Sequence, residues 1–309
     1  MMSITDLLGT MASLLAAMAV GFGGAKLGII DETFNRRLTN LLITLIHPCL
    51  VLASVLNTAH LLSNGEVLQL IGIAAAIYVV MIPLSWLLQK VLRAPAADGG
   101  TYRFMFVFSN LGFMGYPVVE TLFGADATFH VTIFVLMFQL VVYTYGIHLL
   151  SESGQRFHLQ GKILLRPMVL AAAAALLIYL TGLRVPAAVA TTIRYVGNIS
   201  TPLSMIILGC SLSEVSLQDV FGNGRIYVLV AVKTVAVPLL FYWGLQGILH
   251  NTLLLGITTV ILSMPVATNA TILSLAYGGN QKLASAGVFV STILSMFTIP
   301  AIMWLLFGR

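Results

Sequence analysis

Charge is what this chain has least of. Of its 309 residues, 15 are basic and 10 acidic, which is 8%, where a soluble domain carries about 25%. Hydrophobic residues make up 59% and mean hydropathy is +1.01. A water-soluble fold has no polar exterior large enough to cover that much apolar surface. Soluble enzymes, nucleic-acid binders and disordered chains are excluded. Cysteine is nearly missing too: Cys49 and Cys210 both sit in apolar runs, which points to packing and not to a disulfide framework or a metal site. Neither H-E-x-x-H nor G-x-S-x-G occurs, and no pair of mid-span carboxylates is available for acid–base work, which leaves a membrane enzyme as a disfavoured alternative. No cofactor and no metal are expected. The N-terminal MMSITDLL lacks a basic n-region, and a cleaved signal peptide is not expected.

What is present is a series of apolar runs, each near the 20 residues or so that cross a bilayer. They cover Leu7–Ala25, Leu38–Ala59, Val67–Gln89, Phe104 to about Ala125, about Ala127 to Leu150, Pro167–Leu183, Tyr195–Leu212 and Ile226–Leu249. A last stretch, Asn251–Gly308, is long enough for two spans and turns at Gly278-Gly279-Asn280. The expectation is an all-α polytopic membrane protein with ten transmembrane helices. With the N-terminus outside, 11 of the 15 basic residues fall in cytoplasmic loops. Arg184, Arg194 and Arg309 fall outside, and Lys233 lies within a span. This asymmetry predicts N-out, C-out insertion in the plasma (inner) membrane, with the lipid bilayer as the main partner and no role for nucleic acid.

Landmarks recur at a nearly constant offset. Gly28 matches Gly182, Pro48 matches Pro202 and Phe123-Gly124 matches Tyr277-Gly278, each 154 residues on, while Pro83-Leu84 matches Pro238-Leu239 at 155. The chain therefore divides into five-span halves, 1–155 and 156–309. Five is odd, so the second half enters from the opposite side and the repeat is inverted. Inverted repeats mark secondary transporters, whose sites lie near mid-membrane where paired helices are interrupted.

The fourth span reads Ser109-Asn110-Leu111-Gly112-Phe113-Met114-Gly115-Tyr116-Pro117, and its mate, the ninth, reads Met264-Pro265-Val266-Ala267-Thr268-Asn269. Glycine and proline there remove helix propensity and a backbone donor. Each break would expose a half-helix N-terminus, whose free N–H groups suit an anion. Asn110 and Asn269 could donate to a carboxylate or could only satisfy the kinks; twin breaks favour a site. Ser109 and Thr268 flank them. Lys233, five residues before Pro238, is a functional candidate by its depth. It could either contact the substrate or contribute positive charge, or else bond the unwound ninth-span carbonyls. His47 beside Pro48 could carry a proton, touch an anion or be a neutral structural histidine. Gln139 and Asn198 could face a cavity or bond neighbouring helices, and Glu120 is expected to be wet. Gly112, Gly115, Pro117, Pro265, Pro48 and Pro202 are the expected breaks and hinges.

Ser109-Asn110-x-Gly112-Phe113-x-Gly115-x-Pro117 resembles the fourth-span motif of the auxin efflux carrier family, bacterial relatives of the plant PIN transporters. Pro202-Leu203 with Gly209-x-Ser211-Leu212 resembles its seventh span. Met264-Pro265-x-x-x-Asn269, Tyr277-Gly278-Gly279, Ala284-Ser285 and Ser291-Thr292 with Pro300 resemble its ninth and tenth. The resemblance implies a scaffold of spans 1, 2, 6 and 7 and a transport domain of spans 3–5 and 8–10. Broken fourth and ninth helices would cross at their prolines at mid-membrane, in an architecture similar to that of sodium/proton antiporters and bile-acid symporters. It also implies a small organic anion as substrate and fits a homodimer. Cation-coupled transport by the same architecture is the alternative, although no mid-span carboxylate is present to bind the ion.

Overall fold

The computed structural model describes residues 4–56, 63–151, 165, 167–181, 183, 185–249 and 251–308. Gly182 of the repeat pairs, and Arg156, Lys162, Arg166, Arg184 and Arg309 of the charge count, lie outside these. The described chain is helical, with a single isolated β-bridge and no longer strand pairing. Six helical stretches are long and apolar enough to cross a membrane: Glu32–Leu56, Gly65–Val91, Ala125–Leu150, Ala187–Ser213, Gly224–Leu245 and Gln281–Phe307. Shorter apolar helices cover Ala12–Lys26, Leu111–Phe123, Pro167–Tyr179 and Thr252–Ser263. Large apolar side chains, among them Leu68, Val79, Trp243 and Phe297, stand exposed on the outside of the bundle. On helices of this length and hydropathy, lipid tails can cover such a surface. The chain is a polytopic α-helical membrane protein.

Helix starts follow local chemistry. Helix α1 (Ile4–Lys26) is followed by α2 (Glu32–Leu41), which begins where Asp31 accepts from the Phe34 N–H at 2.6 Å. After α3 (His47–Leu56), α4 (Asn64–Val91) opens with a capping box between Ser63 and Glu66. These caps satisfy donors that the first turn leaves free.

Three prolines follow a widened turn, although a fourth such turn, Val142–Gly146, has none after it. Segments of π-helical turn at Leu42–Ile46, Leu111–Gly115 and Val232–Ala236 end just ahead of Pro48, Pro117 and Pro238. A proline ring crowds the carbonyl four residues back and offers it no N–H, and a wider turn relieves both problems. Pro202 lies in the first turn of α11 (Ser200–Ser213), just past the end of α10 (Ala187–Gly197). Pro83 stays inside α4 without interrupting it.

Helices α1 and α11 approach unusually closely. Gly21 faces the backbone of Ile206 and Gly209 faces that of Met18, with no room for a Cβ at either position. Cys210 Sγ donates to the Gly21 carbonyl at 3.1 Å, and Lys26 Nζ donates to the Ser213 carbonyl at 3.0 Å. Small residues let helices touch backbone to backbone in lipid, where packing and interhelical hydrogen bonds hold helices together.

Candidate functional site: two interrupted helices paired through their breaks

Helix α5 (Gly99–Val107) stops because Phe108 turns extended, at φ −99° and ψ 120°. The chain resumes through the wide turn Leu111–Gly115 into α6 (Tyr116–Phe123). Helix α15 (Thr252–Ser263) stops likewise at Met264, φ −61° and ψ 145°, and α16 (Asn269–Tyr277) follows. Met264 is the residue before Pro265, where the proline disfavours helical geometry.

The two breaks satisfy one another. Ser109 and Val266 form an antiparallel bridge, with Asn110 N–H donating to the Pro265 carbonyl at 2.8 Å and Ala267 N–H to the Phe108 carbonyl at 3.0 Å. The Val266 N–H points the other way and donates to Ser291 Oγ at 3.0 Å, from α17 (Gln281–Phe307). Unwound backbone surrounded by apolar side chains is stable only with such partners. Ser291→Ala would orphan a buried N–H, costing about 1–3 kcal/mol. We expect a lower melting temperature for Ser291→Ala in detergent and recovery in Ser291→Thr; equal melting of Ser291→Ala and wild type would contradict this.

The polar side chains expected from the sequence converge on this bridge. Asn110, 2% exposed, accepts from the Phe113 N–H at 3.3 Å and donates to Thr268 Oγ1 at 2.8 Å. It caps its own half-helix and ties the fourth span to the ninth. Asn269 opens α16, and its Oδ1 is buried without a hydrogen-bond partner. A buried orphan of this kind calls for an explanation, since almost all such atoms are paired.

Lys233 lies in the π-helical turn between α13 (Gly224–Ala231) and α14 (Val237–Leu245). Only 1% exposed, it donates to the Phe106 carbonyl at 2.8 Å and to Ser109 Oγ at 3.1 Å. Its partners are thus on the fourth span and not on the unwound ninth.

The other expected residues stand around the bridge or apart from it. Pro265 is in the break, whereas Pro117 lies within the first turn of α6, seven residues beyond Asn110. The pairing therefore runs through Ser109 and Val266, with only one of the two prolines in it. The reason is physical: a first-turn proline is compatible with a helix, and the fourth break is made by extended Phe108 and the Asn110 cap. Gly112 and Gly115 lie in the wide turn after the break.

His47, buried at 1%, sits 3.5 Å from Ser204 Oγ and packs its ring against Phe113 and Tyr116, centroids 6.1 and 5.8 Å away. It meets the half-helix beyond the break through aromatic rings. Gln139, in α7 (Thr128–Val141), lines a separate narrow crevice with Tyr116, Thr132 and Met168. Its Oε1 is also buried without a partner. Glu120 is half-buried and accepts from Thr201 Oγ1 at 2.9 Å, a partner on α11 that the sequence did not indicate. Ser291 was visible in the sequence only as part of a motif.

Comparisons with known proteins agree on a class. Residues 6–303 match the family described as "Membrane transport protein". An uncharacterized transporter of Methanocaldococcus jannaschii is 23% identical over 305 residues, covering 94% of this chain and 96% of that protein. Another, from Methanothermobacter thermautotrophicus, is 27% identical over 300 residues, covering 94% and 95%. A protein of Rhizobium meliloti named "Putative malonate transporter" is 21% identical over 249 residues, covering 78% and 76%. A match over nearly the whole length, on a helical bundle with paired interrupted helices, places this chain in the membrane transport protein family, which is the auxin efflux carrier family its motifs resemble.

Proposed function

We propose that this chain is a secondary carrier that exports or exchanges a small organic anion, a carboxylate, by alternating access across the plasma membrane. The carrying observation is the bridge between two interrupted helices, with an asparagine at the start of each resuming half-helix and a buried lysine beside it. Half-helix N-termini concentrate free N–H groups and positive dipole ends. Asn110, Asn269 and Thr268 add neutral polar groups, with Ser109 beside them. No carboxylate takes part in the hydrogen bonds described around the bridge. An anion would meet attraction there and no like charge.

The six long and four shorter helices then represent ten spans, folded as inverted repeats 1–155 and 156–309. Gly124 and Gly278, 154 residues apart, both take a φ of +88° that favours glycine, with ψ 169° at the first and 10° at the second, so the repeat keeps the glycine and not the turn. Spans 1, 2, 6 and 7 form the scaffold, and spans 3–5 and 8–10 the moving domain. Glu120–Thr201 and the His47 ring contacts lie between the two. The name of the Rhizobium meliloti relative makes short dicarboxylates the first substrates to try.

The test is a thermal-shift screen of purified protein against mono- and dicarboxylates at matched ionic strength. A ligand at about 100 times its Kd stabilises by about 2.7 kcal/mol, so a true substrate should raise the melting temperature by several degrees. A series in which no carboxylate differs from chloride would contradict the proposal.

A further inference from the structure

The partners of Lys233 have the chemistry of a cation site. Where α5 stops, its last carbonyls have lost their helical donors and carry the negative end of the half-helix dipole. In carriers built on broken helices, such carbonyls are where a co-transported cation binds. Here the Phe106 carbonyl and the Ser109 hydroxyl, both neutral oxygen ligands, are met at 2.8 and 3.1 Å by the Lys233 Nζ. Among the described residues no carboxylate pairs with this amine, the ion pair found being Arg36–Glu32. Lysine at that depth is costly unless it serves the site, and the α5 terminus is the electrostatic partner it has.

We propose that Lys233 is a tethered substitute for a coupling cation: its ammonium fills the site at the end of α5, so the carrier works without sodium or another alkali ion. The proposal rests on the carrier reading above. A covalently held charge cannot leave with the substrate. It holds the α5 terminus and Ser109 in place throughout the cycle. Lys233 acts through the break that it positions.

Four full-length proteins test this: wild type, Lys233→Arg, Lys233→Gln and Lys233→Ala. Each is melted in sodium chloride and in choline chloride of equal strength. Wild type and Lys233→Arg should melt alike in the two salts. Lys233→Gln keeps donors without charge and Lys233→Ala opens the site. Both should melt lower in choline and regain about 2–4 °C selectively in sodium, as expected for an ion that binds only the folded state. Sodium-selective stabilisation of wild type would overturn the proposal, as would salt-independent melting of Lys233→Gln; a poorly folding Lys233→Ala therefore leaves the test intact. In parallel, malonate uptake into wild-type proteoliposomes should change less than about twofold between sodium and choline. A strict sodium requirement would overturn the tethered cation and leave the carrier intact. No malonate uptake and no carboxylate thermal shift would count against the carrier reading, while the salt comparison would still judge Lys233.

Discussion

Asn269→Ala is expected to abolish carboxylate binding while leaving the melting temperature of the ligand-free protein nearly unchanged. The asymmetry follows from what each asparagine already does. Asn269 Oδ1 is buried and unpartnered, and removing an unsatisfied polar atom relieves a desolvation cost. Asn110 instead caps the Phe113 N–H and binds Thr268. Asn110→Ala therefore loses a cap of about 1 kcal/mol and an interhelical hydrogen bond of about 0.6–2 kcal/mol, so it should lose both binding and stability. Asn110→Asp separates the two effects: the carboxylate can still cap the half-helix but repels an anion. Titration calorimetry with the best ligand from the thermal-shift series, together with melting curves, reads all three. Asn269→Ala binding within about threefold of wild type, a change under about 1 kcal/mol, would contradict the assignment.

The second large effect lies away from the bridge. Gly209→Leu and Gly21→Leu should each prevent recovery of folded protein. A Cβ at position 209 would overlap the Met18 carbonyl and crowd Phe22 N, and one at position 21 would overlap the Ile206 carbonyl. Backbone cannot swing aside as a side chain can, so α1 and α11 must separate. Overpacking of a few atoms costs about 1–3 kcal/mol, and a leucine adds several more. The separation would also break the Cys210–Gly21 and Lys26–Ser213 hydrogen bonds. Fluorescence-detected size exclusion gives the answer, and a wild-type peak and melting temperature for Gly209→Leu would contradict the packing described.

Much of this was legible because lipid simplifies the code. Hydropathy marked the apolar helices, and Gly-Pro-Asn clusters marked both interruptions. Gly278, expected as a turn, does adopt a positive φ. Less visible was where within the fourth span the chain unwinds. Glycine and proline together suggested Pro117, but a proline early in a helix needs no break, and Phe108 and Asn110 make it instead. The wide turns before Pro48, Pro117 and Pro238 have no signature beyond the proline that follows them. Contacts between distant spans were the least readable. The site role of Ser291, the Thr201 partner of Glu120, and the choice of Phe106 over the ninth span by Lys233 depend on how helices rotate against one another. One chain's periodicity gives the facing of a helix only weakly when every face is apolar.

The central claim is that paired broken helices carry a carboxylate across the membrane. Uptake of radiolabelled malonate into proteoliposomes preloaded with unlabelled malonate addresses it most directly. Wild type should accumulate label well above protein-free liposomes and above Asn269→Ala. Label entering at the protein-free rate, from a preparation whose melting temperature malonate does raise, would show a binding protein and contradict the carrier.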